Sequence, residues 1–329
     1  MSVRELRTKR FKIMTWNIYF GADLTPLINT TPEQVPGVVT DIFNQVEQTD
    51  FPARSKSIAA QICKTKPDLI GLQEVALWTV RSPTTKRVIN FLNILLKDLK
   101  KLGLNYYVAA VNKNFRSTLP SSTGDIVGLL DRDVILARKK LALRASNIQS
   151  KNFRTNLVVP VGNRPFTVLR GWSSIDLCLA GKKLRLVNTH LEGDSVEVQM
   201  AQARELLRGP AATNLPLILI GDFNADAEGS RSATYNMLIN AGFTDAWTVA
   251  GEGPGFTAFQ ARDLLNPVST LSERIDLILF RNHFNVKKIR TVGDQQSDRT
   301  PSGLWPSDHA GVEALLAFEL LFCRRENEF

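Results

Sequence analysis

The sequence predicts an α/β protein in which two β-sheets pack against each other, and three features of the 329-residue chain support this class. Short apolar segments bounded by turn residues recur along the chain, as expected of strands. Helical spacings of apolar residues separate several of these segments. Residues 215–221 are almost wholly aliphatic, which is typical of a strand buried on both faces.

Strands and helices alternate in the first part of the chain. Residues 11–17 and 68–74 are short apolar runs that end in a polar residue, which indicates buried strands. A hydroxyl cap at Thr31, followed by proline, predicts the start of a helix. Further helices are predicted over residues 53–66 and over residues 88–102, where apolar residues recur at helical spacing.

Short strands dominate the second part of the chain, with one helix predicted over residues 196–207 and a turn at residues 162–163. The predicted strands cover residues 108–111, 133–137, 156–161, 166–177, 183–190, 215–221, 274–280, 286–292 and 310–318. The sequence has no internal repeat and no low-complexity linker, so we expect one domain over residues 11–320. A basic N-terminal arm over residues 1–10 precedes it, and a C-terminal tail over residues 321–329 follows it.

The three cysteines are scattered and form no CxxC pair, which argues against a disulfide framework and against a zinc or redox motif. They are Cys63, Cys178 and Cys323. The basic start is followed by no apolar run of secretory length, and no run is long enough to span a bilayer. We therefore expect a monomeric cytoplasmic protein without a transmembrane segment.

Basic residues exceed acidic residues by nine, which points to an anionic partner. The excess is concentrated in residues 138–185, where eleven basic residues and one acidic residue give a net charge of +10. This stretch leads directly to His190. It predicts either a cationic surface beside a functional site or a set of hairpins with solvated lysine and arginine side chains.

Six predicted strands run into, or contain near one end, side chains that can bind metals or move protons. These side chains are Asn17, Glu74, His190, Asp222 with Asn224, Asp276, and Asp308 with His309. Because ligand sites in sheet proteins gather at strand ends, we expect the six segments to converge on one crevice. Taken singly, each segment also fits a turn amide, a solvated carboxylate or a structural histidine.

The residue types indicate metal-assisted proton transfer. Glu74 and Asn17 offer charged and neutral oxygen to a hard cation such as Mg²⁺. Asp222 and Asn224 are two apart on an extended segment, so both can face one ligand. Asp222 could then orient or deprotonate a water, while Asn224 donates to a developing anionic oxygen. The carboxylate beside His309 favours its charged form.

Together and in this order, the six segments resemble the endonuclease/exonuclease/phosphatase superfamily. The motifs lie at residues 15–17, 72–74, 188–191, 221–224, 274–276 and 307–309. This group includes deoxyribonuclease-I-like enzymes, abasic-site endonucleases, bacterial sphingomyelinases and inositol-phosphate phosphatases. The resemblance implies a four-layer α/β sandwich of two mixed sheets flanked by helices, with Mg²⁺-dependent hydrolysis of phosphoester bonds.

The resemblance also implies a role for each residue. Asn17, Glu74 and Asp308 resemble the metal-site residues, with Glu74 as principal ligand of Mg²⁺, for which Mn²⁺ can substitute. The remaining residues resemble the catalytic set. Asp222 and Asn224 would position the nucleophile, His190 would stabilise the transition state or assist the leaving group, and His309, held by Asp276, would act on the phosphate or its water.

Two departures weaken a role in DNA repair. His190 stands where abasic-site endonucleases carry a different residue, and their mid-chain tyrosine is not identifiable. Asp131-Arg132-Asp133 stands in that region instead.

Three functions follow from these observations. The first is a nuclease-type phosphodiesterase, in which the basic stretch lies beside the site and Arg170 contacts a phosphate. The second is a sphingomyelinase-like or inositol-phosphate phosphatase-like hydrolase of a lipid or small phosphoester, whose basic surface meets an anionic membrane. The third is a binding module without catalysis, against which the presence of all six polar segments argues.

Overall fold

The computed structural model describes residues 4–139, 145–179 and 181–323. The strands are β1 Arg4–Asn17, β2 Leu69–Gln73, β3 Leu77–Arg81, β4 Lys86–Asn90, β5 Tyr106–Pro120, β6 Ile126–Arg138, β7 Ala145–Asn152, β8 Leu157–Val161, β9 Arg164–Val168, β10 Gly171–Leu179, β11 Lys182–His190, β12 Leu217–Asp222, β13 Thr244–Asp245, β14 Asp276–Arg281, β15 Phe284–Val292 and β16 Gly311–Cys323. The α-helices are α1 Val35–Gln48, α2 Phe51–Thr65, α3 Phe91–Lys101, α4 Val196–Arg208, α5 Thr234–Asn240 and α6 Ala246–Ala250.

Two large mixed sheets form the centre of the molecule. The first sheet has the strand order β15-β16-β1-β2-β6-β3-β4, and β5 pairs along the other edge of β6. The second sheet has the order β13-β14-β12-β11-β10-β7. The β8–β9 hairpin belongs to neither large sheet.

The sheets face each other across an apolar core that includes Ile13 and Ile135 from the first sheet and Ile218 from the second. Helices α1, α2 and α3 pack on the outer face of the first sheet. Helices α4 and α5 cover the outer face of the second sheet through Leu206 and Leu238. The layers are therefore helices, sheet, sheet and helices, and the predicted four-layer α/β sandwich is confirmed.

Strand β12 explains why its segment is aliphatic throughout. Leu217 and Leu219 contact the layer of α4 and α5, whereas Ile218 and Ile220 contact the opposite sheet. Successive side chains of a strand point to opposite faces, so a strand between two apolar layers needs apolar residues at every position.

Several predicted boundaries are wrong. The helix predicted to begin at Thr31 begins one turn later, at Val35, where Pro36 occupies the first turn and Thr31 does not cap it. Residues 88–90 belong to β4, and α3 begins at Phe91 with the Asn90 side chain as its cap; valine and isoleucine side by side suit a strand as well as a helix. The predicted strand 166–177 is divided into β9 and β10. The first strand begins at Arg4 and not near residue 11, because the backbone of residues 4–10, the predicted basic arm, pairs with β16.

Strand register brings the predicted site residues together. In the second sheet His190 pairs with Asp222, and Asp222 pairs with Asp276, so the three residues form one row across β11, β12 and β14. In the first sheet Asn17 pairs with Gln73 at the ends of β1 and β2. Paired residues of neighbouring strands project to the same face, so each row presents its side chains together.

A close approach of the two sheets lies directly beneath these rows. A Cβ atom at Gly71 would lie 2.6 Å from Ile220 Cδ1 and would also overlap Asn188 Oδ1. Gln73 Nε2 donates to Asn188 Oδ1 at 2.7 Å, and Asn188 Nδ2 donates to Leu72 O at 3.3 Å. Glycine at position 71 therefore lets a polar link join the two sheets and fix their relative position.

Among the described helices, none combines the length and the apolar character that a membrane-spanning segment requires.

Candidate active site

The predicted site residues meet at one end of the two sheets. A cavity of about 950 Å³ opens there, and Glu74, His190, Asp222, Asp308 and His309 line it. Asn17 and Asp276 are buried directly behind these residues. The expected convergence of the six segments is thus present in the structure, although the role of each residue stays a prediction.

Asn17 connects the two halves of the site. Its Nδ2 atom donates to Glu74 Oε1 at 3.1 Å and to Asp222 Oδ2 at 2.9 Å. Its Oδ1 atom accepts a hydrogen bond from Tyr19 N at 3.0 Å. In this arrangement the amide holds two carboxylates in position, and its oxygen, which we predicted as a metal ligand, is bound to the backbone.

Glu74 and Asp308 form an acidic pair on the wall of the cavity. Glu74 follows β2 in the left-handed region with φ 58°, and Phe20 N donates to its Oε2 atom at 2.9 Å. Burial, together with the carboxylates of Asp308 and Asp131, raises the pKa of Glu74 to about 8. Burial also raises the pKa of Asp308.

This pair fits a hard divalent cation. Among the described residues neither Glu74 nor Asp308 forms a salt bridge, and two carboxylates that repel each other are stabilised by a bound cation. Oxygen donors of this kind suit Mg²⁺. Asp222, Asp276 and His309 also bring donor atoms within 4.8 Å of one another. However, His309 Nδ1 is already hydrogen-bonded to Asp276, which makes Glu74 and Asp308 the better candidates for ligands.

His309 and Asp276 form a buried hydrogen-bonded pair. His309 Nδ1 lies 2.8 Å from Asp276 Oδ2, and Asp276 N donates to Thr257 Oγ1 at 3.1 Å. Burial alone would lower the pKa of His309, but the carboxylates of Asp276 and Asp308 outweigh it and hold this pKa well above its ordinary value. The imidazole is therefore positively charged near neutral pH, with Nε2 3.9 Å from Asp222 Oδ2.

His190 has the opposite charge state. Burial, together with Arg170 and His309, holds its pKa well below the ordinary value. An Arg170 guanidinium nitrogen lies 3.1 Å from His190 Nδ1 and can only donate, so Nδ1 is the acceptor of the ring and Nε2 carries the proton. Nε2 lies 3.5 Å from Asp222 Oδ2.

Asn224 is held through both its backbone and its side chain. It adopts φ 49°, its N–H donates to Asp222 Oδ1 at 2.9 Å, and its Nδ2 donates to Leu191 O at 2.9 Å. One amide hydrogen of the side chain is thus used within the protein. The second remains for the substrate contact that we predict.

Sequence reasoning named Asp131 and Asp133 but did not assign them to the site, where they form a buried acidic group beside Arg170. Asp131 and Asp133 lie two apart on β6, and Asn114 Nδ2 donates to both at 2.9 Å. An Arg170 guanidinium nitrogen lies 3.8 Å from Asp131 Oδ2. Burial raises the pKa of both carboxyl groups. Two acidic residues on one face of an otherwise apolar strand are the signal that could have placed them in the site.

Arg54 was also missed, because a helical arginine gives no sequence signal. It is fully buried, and its guanidinium donates to the carbonyl oxygens of Ile18 at 2.9 Å, Tyr19 at 3.0 Å and Pro306 at 3.0 Å. Burial lowers its pKa to about 10. These hydrogen bonds connect the segment after Asn17 to the segment before Asp308, so the guanidinium positions both segments.

The basic stretch does not form one cationic surface beside the site. Arg185 pairs with Asp176 at 2.7 Å near the far end of β11 from His190, and Arg138 lies 3.7 Å from Asp68. Among its described members, Arg164 and Arg170 line the cavity. Strand topology distributes the others, and Lys140 and Arg144 lie outside the described residues. Contact between Arg170 and substrate stays a prediction.

Comparison with known proteins shows the family of the chain. The sequence model of the endonuclease/exonuclease/phosphatase family matches residues 14–309. The chain belongs to this family. The family consists of phosphoester hydrolases that are generally metal-dependent. The assignment of this activity to the residues described above stays a prediction. A search of curated protein sequences gave no match.

Solved structures of the family share the fold at low sequence identity. A family protein from Bacteroides thetaiotaomicron is 19% identical with a TM-score of 0.58, covering 98% of this chain and all of that one. D. rerio TDP2 complexed with a single-strand DNA product is 17% identical with a TM-score of 0.56, covering 93% and 98%. The mannosyl-6-phosphatase Bt3783 of B. thetaiotaomicron is 18% identical with a TM-score of 0.57, covering 93% and 99%.

Proposed function

We propose that this family member hydrolyses phosphodiester bonds with a water nucleophile and a divalent cation. The observation that carries the proposal is the environment of Asp222 Oδ2. This oxygen lies 2.9 Å from Asn17 Nδ2, 3.5 Å from His190 Nε2 and 3.9 Å from His309 Nε2, at the wall of an open cavity. A carboxylate held in this way can accept a proton from a water bound beside it.

The neighbouring residues supply the rest of the chemistry. Protonated His309 donates a charge-assisted hydrogen bond to a non-bridging phosphate oxygen, and Asp276 fixes the orientation of its ring. Neutral His190 donates from Nε2 as negative charge develops on the phosphate. Glu74 and Asp308 would hold Mg²⁺ or Mn²⁺, which when bound neutralises phosphate charge and lowers the barrier to nucleophilic attack.

Polynucleotides and small phosphoesters are the two candidate classes of substrate. One structural neighbour is described with a single-strand DNA product and another as a mannosyl-6-phosphatase, so polynucleotides and small phosphoesters both belong in the test. Because Arg164 and Arg170 are the described cations of the basic stretch at the cavity, its charge gives a nuclease less support than the sequence suggested.

The test is an activity panel with Mg²⁺, with Mn²⁺ and with EDTA. Plasmid DNA, RNA, sphingomyelin, inositol phosphates and bis(4-nitrophenyl) phosphate are incubated with the wild-type protein and with Asp222→Ala. We expect cation-dependent hydrolysis of at least one diester by the wild type and none by the variant. Activity that is unchanged in EDTA, or equal activity of the two proteins, would contradict the proposal.

A further inference from the structure

The cavity at the catalytic residues continues into an apolar groove between the β8–β9 hairpin and the first sheet. The groove is defined by the aliphatic and aromatic side chains of Leu27, Phe115, Leu129, Val159, Val161 and Phe166. Glu74, His190 and Asp308 line the same cavity. Its volume of about 950 Å³ lies within the range of small-molecule sites.

The hairpin presents one apolar face to this groove. Val159 pairs with Phe166 on the face toward the cavity, whereas Val158 pairs with Thr167 on the other face, where Val158 is 55% exposed. Val159 and Phe166 are only partly buried although they face inward. The groove therefore keeps accessible apolar surface that the protein itself does not cover, and such concave surface favours a ligand.

The hairpin is fixed at both of its ends. Asn29 N donates to Pro160 O at 2.8 Å near the turn, and Arg170 N donates to Asn156 Oδ1 at 3.0 Å at the base. Arg170 is also the residue that contacts His190. The groove is thus formed before any ligand binds, and its wall is joined to a residue of the catalytic site.

We propose that the groove binds an alkyl chain of the substrate, so that the enzyme acts on a lipid-like phosphodiester. The inference rests on the proposed function, because the phosphate must lie at Asp222 and His309 for an attached chain to enter the groove. The cavity is continuous between the two places. The six side chains that define the groove carry no hydrogen-bonding group and suit an alkyl chain, whereas a buried nucleobase or sugar requires polar partners. Polar side chains of β5 and β9, Arg116, Ser117, Thr118 and Arg164, line the same cavity. The experiments therefore compare an alkyl substrate with a nucleoside substrate directly.

The first experiment measures the affinity of ethyl-, butyl- and octylphosphonate by calorimetry and requires no turnover. Each fully buried methylene strengthens binding by about fourfold. We expect at least a tenfold gain from butyl to octyl, with a more negative heat-capacity change. Equal affinity across the series would overturn the inference.

Two valines of the same strand provide a matched pair of variants. Val161→Asn places an amide in the groove, and we expect it to lower the octyl-to-ethyl affinity ratio at least fivefold. Val158→Asn changes the opposite face and leaves this ratio unchanged. Thermal unfolding establishes that both variants are folded, and equal effects of the two would contradict the assignment. The chain-length series on the wild-type protein tests the inference even if neither variant folds.

A kinetic arm separates failure of the inference from failure of the proposed function. Octyl 4-nitrophenyl phosphate and thymidine 5′-(4-nitrophenyl) phosphate are compared with Mg²⁺ present, and we expect kcat/KM to favour the octyl diester at least tenfold. Preference for the thymidine diester would overturn the inference while the proposed hydrolysis stands. If neither diester is hydrolysed, the result counts against the proposed function. The phosphonate binding series then tests separately whether the groove binds an alkyl chain.

Discussion

His190 and His309 lie on either side of Asp222 with opposite charge states, since the pKa of His190 is lowered well below its ordinary value and that of His309 is raised well above it. The difference arises from the neighbour of each Nδ1 atom. Arg170 faces His190, whereas the carboxylate of Asp276 faces His309. One carboxylate thus has a neutral and a cationic donor beside it, which suits a reaction that moves a proton and stabilises an anion in the same space.

The carboxylate of Asp222 is the first target for mutation. Asp222→Asn keeps the shape of the side chain but removes the proposed proton acceptor, and we expect kcat for the best diester to fall about 10²- to 10⁴-fold. Asp41→Asn, on an exposed position of α1, is the matched control. A loss of less than threefold in Asp222→Asn would show that another group accepts the proton.

The lowered pKa of His190 predicts a pH dependence of stability. Below about pH 6.5 the unfolded chain binds a proton at this imidazole that the folded protein does not. Stability is therefore lost as pH falls below that value, by up to about 1.4 kcal/mol per pH unit from this group. We expect His190→Asn to remove this contribution, measured as the difference in urea unfolding between wild type and variant at pH 7.5, 6.0 and 5.0. Parallel pH profiles would refute the assignment of a neutral His190.

Arg54→Met tests the buried guanidinium. The substitution leaves the carbonyl oxygens of Ile18, Tyr19 and Pro306 without their donor, and we expect a loss of about 3 kcal/mol in the free energy of unfolding. Arg87→Met removes an exposed arginine that pairs with Glu47 and should cost less than about 1 kcal/mol. Urea unfolding of both variants gives the comparison, and similar losses would contradict the positioning role of Arg54.

Gly71→Ala tests the close approach of the sheets. The added methyl would overlap Asn188 and Ile220, so we expect the free energy of unfolding of the variant to fall by about 1 to 3 kcal/mol. In Gly37→Ala the methyl meets no atom within 4 Å and lies in α1, so the variant should be more stable by up to about 1 kcal/mol. Differential scanning calorimetry distinguishes these opposite signs. An unchanged melting temperature for Gly71→Ala would mean that the sheets separate easily here.

The sequence was sufficient to predict the layers and the cluster of polar strand ends. Both follow from local patterns: aliphatic runs predict buried strands, and the polar residues that end them are visible one segment at a time. The division of residues 166–177 into two strands was not predictable from apolar content, because the break at Arg170 serves contacts with Asn156 and His190 that are distant in sequence.

One physical reason explains why sequence reasoning did not assign three buried charged residues to the site. Arg54, Asp131 and Asp133 are charged groups that have low exposure because partners from other segments surround them. A single sequence shows the charge but not the partners. The basic stretch is distributed over β6 of the first sheet, the β8–β9 hairpin and the second sheet. This distribution depends on strand topology, which a count of charges does not contain.

The row formed by His190, Asp222 and Asp276 makes enzymatic competence depend on strand alignment as much as on residue identity. Insertion of a single residue into β12 ahead of Asp222 would turn that carboxylate toward the opposite side of the sheet, where α4 and α5 pack. A chain with such an insertion would keep every motif intact in its sequence and yet lose the proposed proton acceptor from the cavity.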